Sequence, residues 1–168
     1  MPQRARPSKR QGEQHPTRPV GSARSPARIR QPQMSGEMIA VVDGRDVASS
    51  ESPDHLPSIE LLQSILRSLE RFGYTVIVVV DDDLRLEIER SVSRSKALER
   101  ATISLAPAGV DRDRLVLGIA DETGAAVVSN HHFEEYLPSF PWLTERRIPY
   151  RVHRGQAYLD PEGLMGVF

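Results

Sequence analysis

The chain has no cysteine, which excludes both a disulfide framework and a zinc site built on thiolates. None of its apolar runs approaches the ~20 residues of a membrane-spanning helix. The N-terminal segment lacks the apolar stretch of a secretory signal, so a soluble cytoplasmic protein with no membrane partner is expected. The only lysines are Lys9 and Lys96. A receiver-like phosphoacceptor needs a lysine after a late strand beside its acid pair, and neither lysine is so placed. No glycine-rich fingerprint for dinucleotides follows a strand, and no internal repeat is present. At 168 residues the length fits one domain with a proper core.

The formal charge of -1 hides an asymmetry. Residues 1–36 hold eight Arg/Lys against one acid, Glu13, a balance of +7; the remainder holds fourteen basic and twenty-two acidic residues, a balance of -8. With six prolines and almost no large apolar residue, residues 1–36 cannot bury enough to offset their ordering entropy, and a disordered basic tail is expected. Such a tail suits a polyanionic partner such as nucleic acid, or serves only to solubilise. Its Arg-rich composition is loosely that of an organelle transit peptide, but the prolines interrupt the amphipathic helix such a peptide needs.

From Met38 the chain alternates strands and helices. Met38 to Val42 is an apolar run stopped by Asp43-Gly44, which reads as a buried strand with a turn. Residues 48–55 read as a loop. Pro57-Ser58 opens a helix carrying Ile59, Leu62, Ile65, Leu66 and Leu69 at helical spacing, and Gly73 ends it. Residues 74–80 form a β-branched run that suits a central parallel strand. Residues 84–101 read as one charged helix, 102–106 as a short strand, and 111–122 as a helix closed by Gly124. Residues 125–129 follow as a strand, 132–137 as a helix, and 148–152 and 156–159 as closing strands. Strands spaced by helices give an α/β fold with a mainly parallel sheet.

Three strands end in polar residues on what would be one sheet edge: Asp43 and Asp46, then Asp81 to Asp83, then Asn130, His131 and His132. Open α/β sheets place their chemistry at that edge. Asp111 and Asp113 begin the helix before the last of these strands, where carboxylates also serve as caps. Carboxylates brought together repel unless a cation lies between them, and Mg²⁺ and Mn²⁺ prefer oxygen ligands. Metal-dependent phosphodiester cleavage, phosphotransfer and simple cation binding all fit such a cluster, and spacing alone does not separate them.

These residues also carry a resemblance. VVDGRDVA, then VIVVVDDD, ISLAPAG, DRDRLVLGIADETGAAVVSN and a Pro/Trp corner resemble, in order, the NYN branch of the PIN-like ribonucleases, closest to the Regnase type. The likeness runs from about Met38 to Pro161, within a domain placed at 37–168. It implies a three-layer sandwich with a central, mainly parallel sheet flanked by helices. Where the family has Asp-Gly-Ser/Thr-Asn, this chain has Asp43-Gly44-Arg45-Asp46, so a carboxylate replaces the Asn. Asp113-Arg114 matches the family's acid-Arg segment, but the preceding residue, often a second acid, is Arg112. His131 stands where the family has a further metal-site Asp, and Glu135 matches its distal acid.

The resemblance implies a metal-dependent endoribonuclease that cuts single-stranded RNA and leaves 5′-phosphate and 3′-hydroxyl ends. Asp43, Asp46, Asp113 and Glu135 would be catalytic, with Asp43, Asp113, His131 and Glu135 around Mg²⁺ or Mn²⁺. Arg45, Asn130, Arg112 and Arg114 would contact substrate, and Arg85 is a further basic residue near that edge. Because His suits Mg²⁺ poorly and replaces a carboxylate, the alternative is a weakened module that mainly holds RNA. A homodimer is left open. Regnase proteins also use a cysteine-rich zinc finger, and target choice by that route is not expected here.

Overall fold

The computed structural model describes residues 36–51 and 56–160, within one compact unit that begins at Ser35. The tail expected over residues 1–36 lies outside the described residues, Gly36 aside. The first strand, β1 (Ile39–Asp43), is followed at once by a short helix, α1 (Gly44–Ser49). After it come α2 (Ile59–Arg71), β2 (Thr75–Val80), α3 (Asp82–Ser91), α4 (Lys96–Arg100) and β3 (Thr102–Leu105). The remainder is α5 (Arg112–Thr123), β4 (Ala126–Val128), α6 (Leu143–Arg146), β5 (Arg147–Ile148), β6 (Tyr150–His153) and β7 (Gln156–Leu159).

Among the described residues, five strands form one sheet in the order β3-β2-β1-β4-β5, and every pairing in it is parallel. The α/β fold with a parallel sheet flanked by helices is therefore present. Because both faces are covered, the central strands β1, β2 and β4 are nearly continuous apolar runs instead of alternating with polar residues. Ala40, Val42, Val78, Val80 and Val128 pack under α1 to α4, whereas Val41, Val79 and Val127 pack under α5 and α6. The helix α2 shows why its sequence is helical. Ser58 accepts from Leu61 N as N-cap, and Ile59, Leu61, Leu62, Ile65, Leu66 and Leu69 are buried. Burying each such side chain contributes about 1.5–3 kcal/mol.

The chain reverses its direction of travel across the sheet after β3, crossing by α5 to place β4 on the far side of β1. That makes the carboxyl ends of β1 and β4 a topological switch point, where open sheets leave a crevice. Register runs from Ala40↔Ala126 to Val42↔Val128. One step further lie Asp43 on one strand and Ser129 on the other.

Four expectations change. A helix over residues 44–49 takes the place of the turn expected at Asp43-Gly44 and of the first two residues of the loop expected over 48–55, because the Asp43 side chain accepts from Asp46 N as an N-cap; residues 52–55 of that loop lie outside the described set. The helix expected over 84–101 breaks at residues 92–95, where a 3₁₀ turn precedes Ser95, the N-cap of α4. Serine favours caps and turns, and β-branched valine loses rotamer freedom in a helix. The helix expected at 132–137 shrinks to a single 3₁₀ turn, Glu134–Tyr136. Phe133 precedes it with φ 54° and a fully buried ring, a left-handed backbone that no helix continues through. The strand expected at 148–152 is split by Pro149, which lacks an N–H for a ladder. Its second half pairs with β7 as a separate antiparallel hairpin.

Candidate active site

Asp43 anchors the site. The strand β1 delivers it to the switch point, and it is only 1 % exposed. Its Oδ1 accepts from Asp46 N at 3.2 Å and faces Arg112 Nε at 3.4 Å. Burial pushes its pKa up to about 6, against the lowering effects of Arg112 and the Asp46 N–H, with Asp46 and Asp113 adding to the rise. Gly44 follows because nothing larger fits. A Cβ there would meet Val79 O at 2.7 Å and Val78 Cγ1 at 2.9 Å.

Asp46, one turn into α1, is held from three sides. Its Oδ2 accepts from Asn130 N at 2.8 Å, Tyr150 OH at 2.9 Å and Ser129 Oγ at 3.1 Å. Three donors on one carboxylate oxygen fix the rotamer and join α1 to the end of β4 and the start of β6. Burial first, and the Asp46 carboxylate second, raise the Tyr150 phenol well above its usual range, so it remains a donor. The Asn130 side chain is engaged in the same corner, its Oδ1 accepting from Tyr150 N at 3.0 Å.

Across the cleft, Asp111 caps α5 by accepting from Asp113 N and Arg114 N. It also accepts from the Tyr136 hydroxyl. That bond holds the Asp111 carboxyl below its usual range and pushes Tyr136 up to about 12. So fixed, the first turn of α5 directs Asp113 and Arg112 at the end of β1. The two oxygens of Asp113 face different partners: Oδ1 lies 3.9 Å from Arg112 Nη2, and Oδ2 lies 3.0 Å from His131 Nδ1. Asp113, His131 and Glu135 each offer one ligand atom, all within 4.8 Å of one another. Two carboxylates and an imidazole are a donor set that a divalent ion such as Mn²⁺ accepts.

A cavity of about 560 Å³ gathers most of the residues singled out from the sequence. Asp43, Arg45, Asp46, Arg112, Asp113 and His131 line it, with Ser49 and Ser50. Glu135 approaches from beside Asp113 and His131. Arg114 is exposed on α5 and is not among the lining residues. Asp81 caps α3 and pairs with Arg45 at 3.5 Å and Arg112 at 3.9 Å, and Arg85 is occupied by Glu89. Ser129 and Tyr150 were not visible as site residues from the sequence. Only the Val-Val-Ser-Asn segment gave a signal for Ser129, and none pointed to Tyr150.

A family model described as the Zc3h12a-like ribonuclease NYN domain matches residues 37–166. Two solved structures of nuclear protein-only RNase P 2 (PRORP2) from Arabidopsis thaliana are similar. One is 18% identical with a TM-score of 0.61, covering 74% of this chain and 30% of that one. The other is 19% identical with a TM-score of 0.57, covering 73% of this chain and 29% of that one. At such identity the likeness carries the fold alone, a PIN-like sandwich, and the chain spans under a third of the length of those proteins. A comparison with curated proteins gave no match. Matched over residues 37–166, the chain belongs to the Zc3h12a-like family of ribonuclease NYN domains.

Proposed function

We propose that this domain is a divalent-metal-dependent endoribonuclease that cuts single-stranded RNA and leaves 5′-phosphate and 3′-hydroxyl ends. The observation that carries the reading is the convergence of Asp43, Asp46, Asp113 and His131 on one cavity, with Glu135 completing a cation-sized group. Asp113, His131 and Glu135 would hold Mn²⁺ or Mg²⁺. Held there, the cation would offset the charge of the phosphate and make a nearby water easier to deprotonate. Asp43, with a pKa of about 6, is mostly ionised at neutral pH and close enough to neutrality to accept a proton usefully. Asp46 is fixed by its three donors and presents its carboxylate at the same wall.

Substrate must enter an acidic cleft, so cations have to guide the backbone. Arg45 and Arg112 line the cavity and are partly exposed, and guanidinium groups suit phosphate oxygens. Arg114 and the Arg-rich residues 1–36 would add sequence-independent attraction from outside.

The test is cleavage of an end-labelled single-stranded RNA with Mn²⁺, Mg²⁺ or chelator, comparing the parent with Asp113→Asn and Asp43→Asn. Loss of cleavage in both variants and in chelator supports the reading, and equal cleavage by all three proteins removes it. Product ends are read by whether they ligate without prior phosphorylation. The second reading, a weakened module that mainly holds RNA, is favoured by the Arg112 pairing with Asp43 and Asp113. It predicts RNA retention without cleavage in either metal, with activity restored by His131→Asp.

A further inference from the structure

We infer that Arg112 is a tethered counter-cation that fills the Asp43 end of the cleft and confines a divalent ion to the Asp113–His131–Glu135 end. This deepens the metal-dependent reading above and rests on it for the second half of the statement. Each guanidinium nitrogen faces a different carboxylate: Nε is 3.4 Å from Asp43, Nη1 3.9 Å from Asp81 and Nη2 3.9 Å from Asp113. Those acids come from β1, the start of α3 and α5, so one cation joins three elements at the place where their negative charges would otherwise repel. Asp43 is 1 % exposed, so solvent screens this interaction weakly. A dication close enough to coordinate Asp43 would stand within a few ångströms of the guanidinium and be repelled by it. Asp113 marks the boundary, with one oxygen toward Arg112 and the other toward His131. Beyond it the three-residue group within 4.8 Å contains neither Asp43 nor Asp81. An incidental surface ion pair does not account for an arginine whose Nε is itself buried.

The experiment counts bound Mn²⁺ by electron paramagnetic resonance at neutral pH and physiological salt. It uses the full chain, Asp43→Asn, Arg112→Ala, Arg112→Lys and the Arg112→Ala/Asp43→Asn pair. The parent and Asp43→Asn bind Mn²⁺ within about threefold of each other, and Arg112→Lys resembles the parent. Arg112→Ala gains about tenfold in affinity or a second ion, and the added Asp43→Asn cancels that gain. Thermal unfolding gives a second readout: Arg112→Ala melts lower without metal and recovers with Mn²⁺ by more than the parent does. The inference is overturned if Asp43→Asn alone weakens binding about tenfold, or if Arg112→Ala gains nothing that depends on Asp43. Should the parent bind no Mn²⁺, the metal-dependent reading fails, and the Asp43-dependent gain in Arg112→Ala still decides the role of Arg112. If Arg112→Ala does not fold, Arg112→Met, which keeps the length of the stem, takes its place.

Discussion

Asp43→Asn should make the metal-free domain more stable at neutral pH, although it removes an acid from the centre of the site. The native carboxyl is raised from 3.8 to about 6, chiefly by burial. Between those values the folded chain holds a proton that the unfolded chain has released, so this group's contribution is complete below pH 4 and is lost as pH rises through 6. Two units correspond to about 3 kcal/mol. Asn keeps the shape and still accepts from Asp46 N, but carries no charge to bury. The variant and the parent should therefore be equally stable near pH 4 and diverge to about 3 kcal/mol in favour of Asn at pH 7.5. Urea unfolding of both proteins in chelator, at half-unit steps from pH 4 to 8, gives the difference curve, in which the other titrating groups cancel. A flat difference, or a parent more stable than the variant at pH 7.5, would refute the burial argument.

Gly44→Ala should destabilise by about 1–3 kcal/mol or more, because the new methyl meets the backbone oxygen of Val79 at 2.7 Å; thermal melts read it. Tyr150→Phe should cost about 1.5–3 kcal/mol, the worth of a buried hydrogen bond to a charged acceptor, and should lower the cleavage rate more than RNA affinity, read by separating kcat from KM. His131→Asp places a carboxylate about 3 Å from Asp113 and should lower the melting temperature in chelator while making Mg²⁺ as effective as Mn²⁺ in the cleavage assay. A variant that melts like the parent and keeps its metal preference would remove His131 from the site.

The strands and the two long helices were legible because their signals are local. A β-branched run such as 75–80 and a helical period such as 59–69 are strong local signals, and here the tertiary packing agrees with them. The acids at one edge followed from the alternation of strands and helices, since parallel strands bring their carboxyl ends to one side. What escaped were features decided by distant partners. Asp43-Gly44 has turn composition, yet Asp43 caps a helix and the glycine is required by packing against β2. Asp46 finds Ser129 and Tyr150 83 and 104 residues away, separations at which no periodicity speaks. Phe133 left the helical pattern because burying its ring mattered more than continuing a turn.

The β6–β7 hairpin stands apart from the main sheet and leans on α2, where Ala157 N donates to Ser64 Oγ at 2.9 Å. Cutting the protein after Ile148 would leave all five sheet strands paired. It would nonetheless strip Asp46 of its phenol and Asn130 of the amide it grips. Anyone trimming this domain to its sheet would keep the scaffold and loosen the centre it carries.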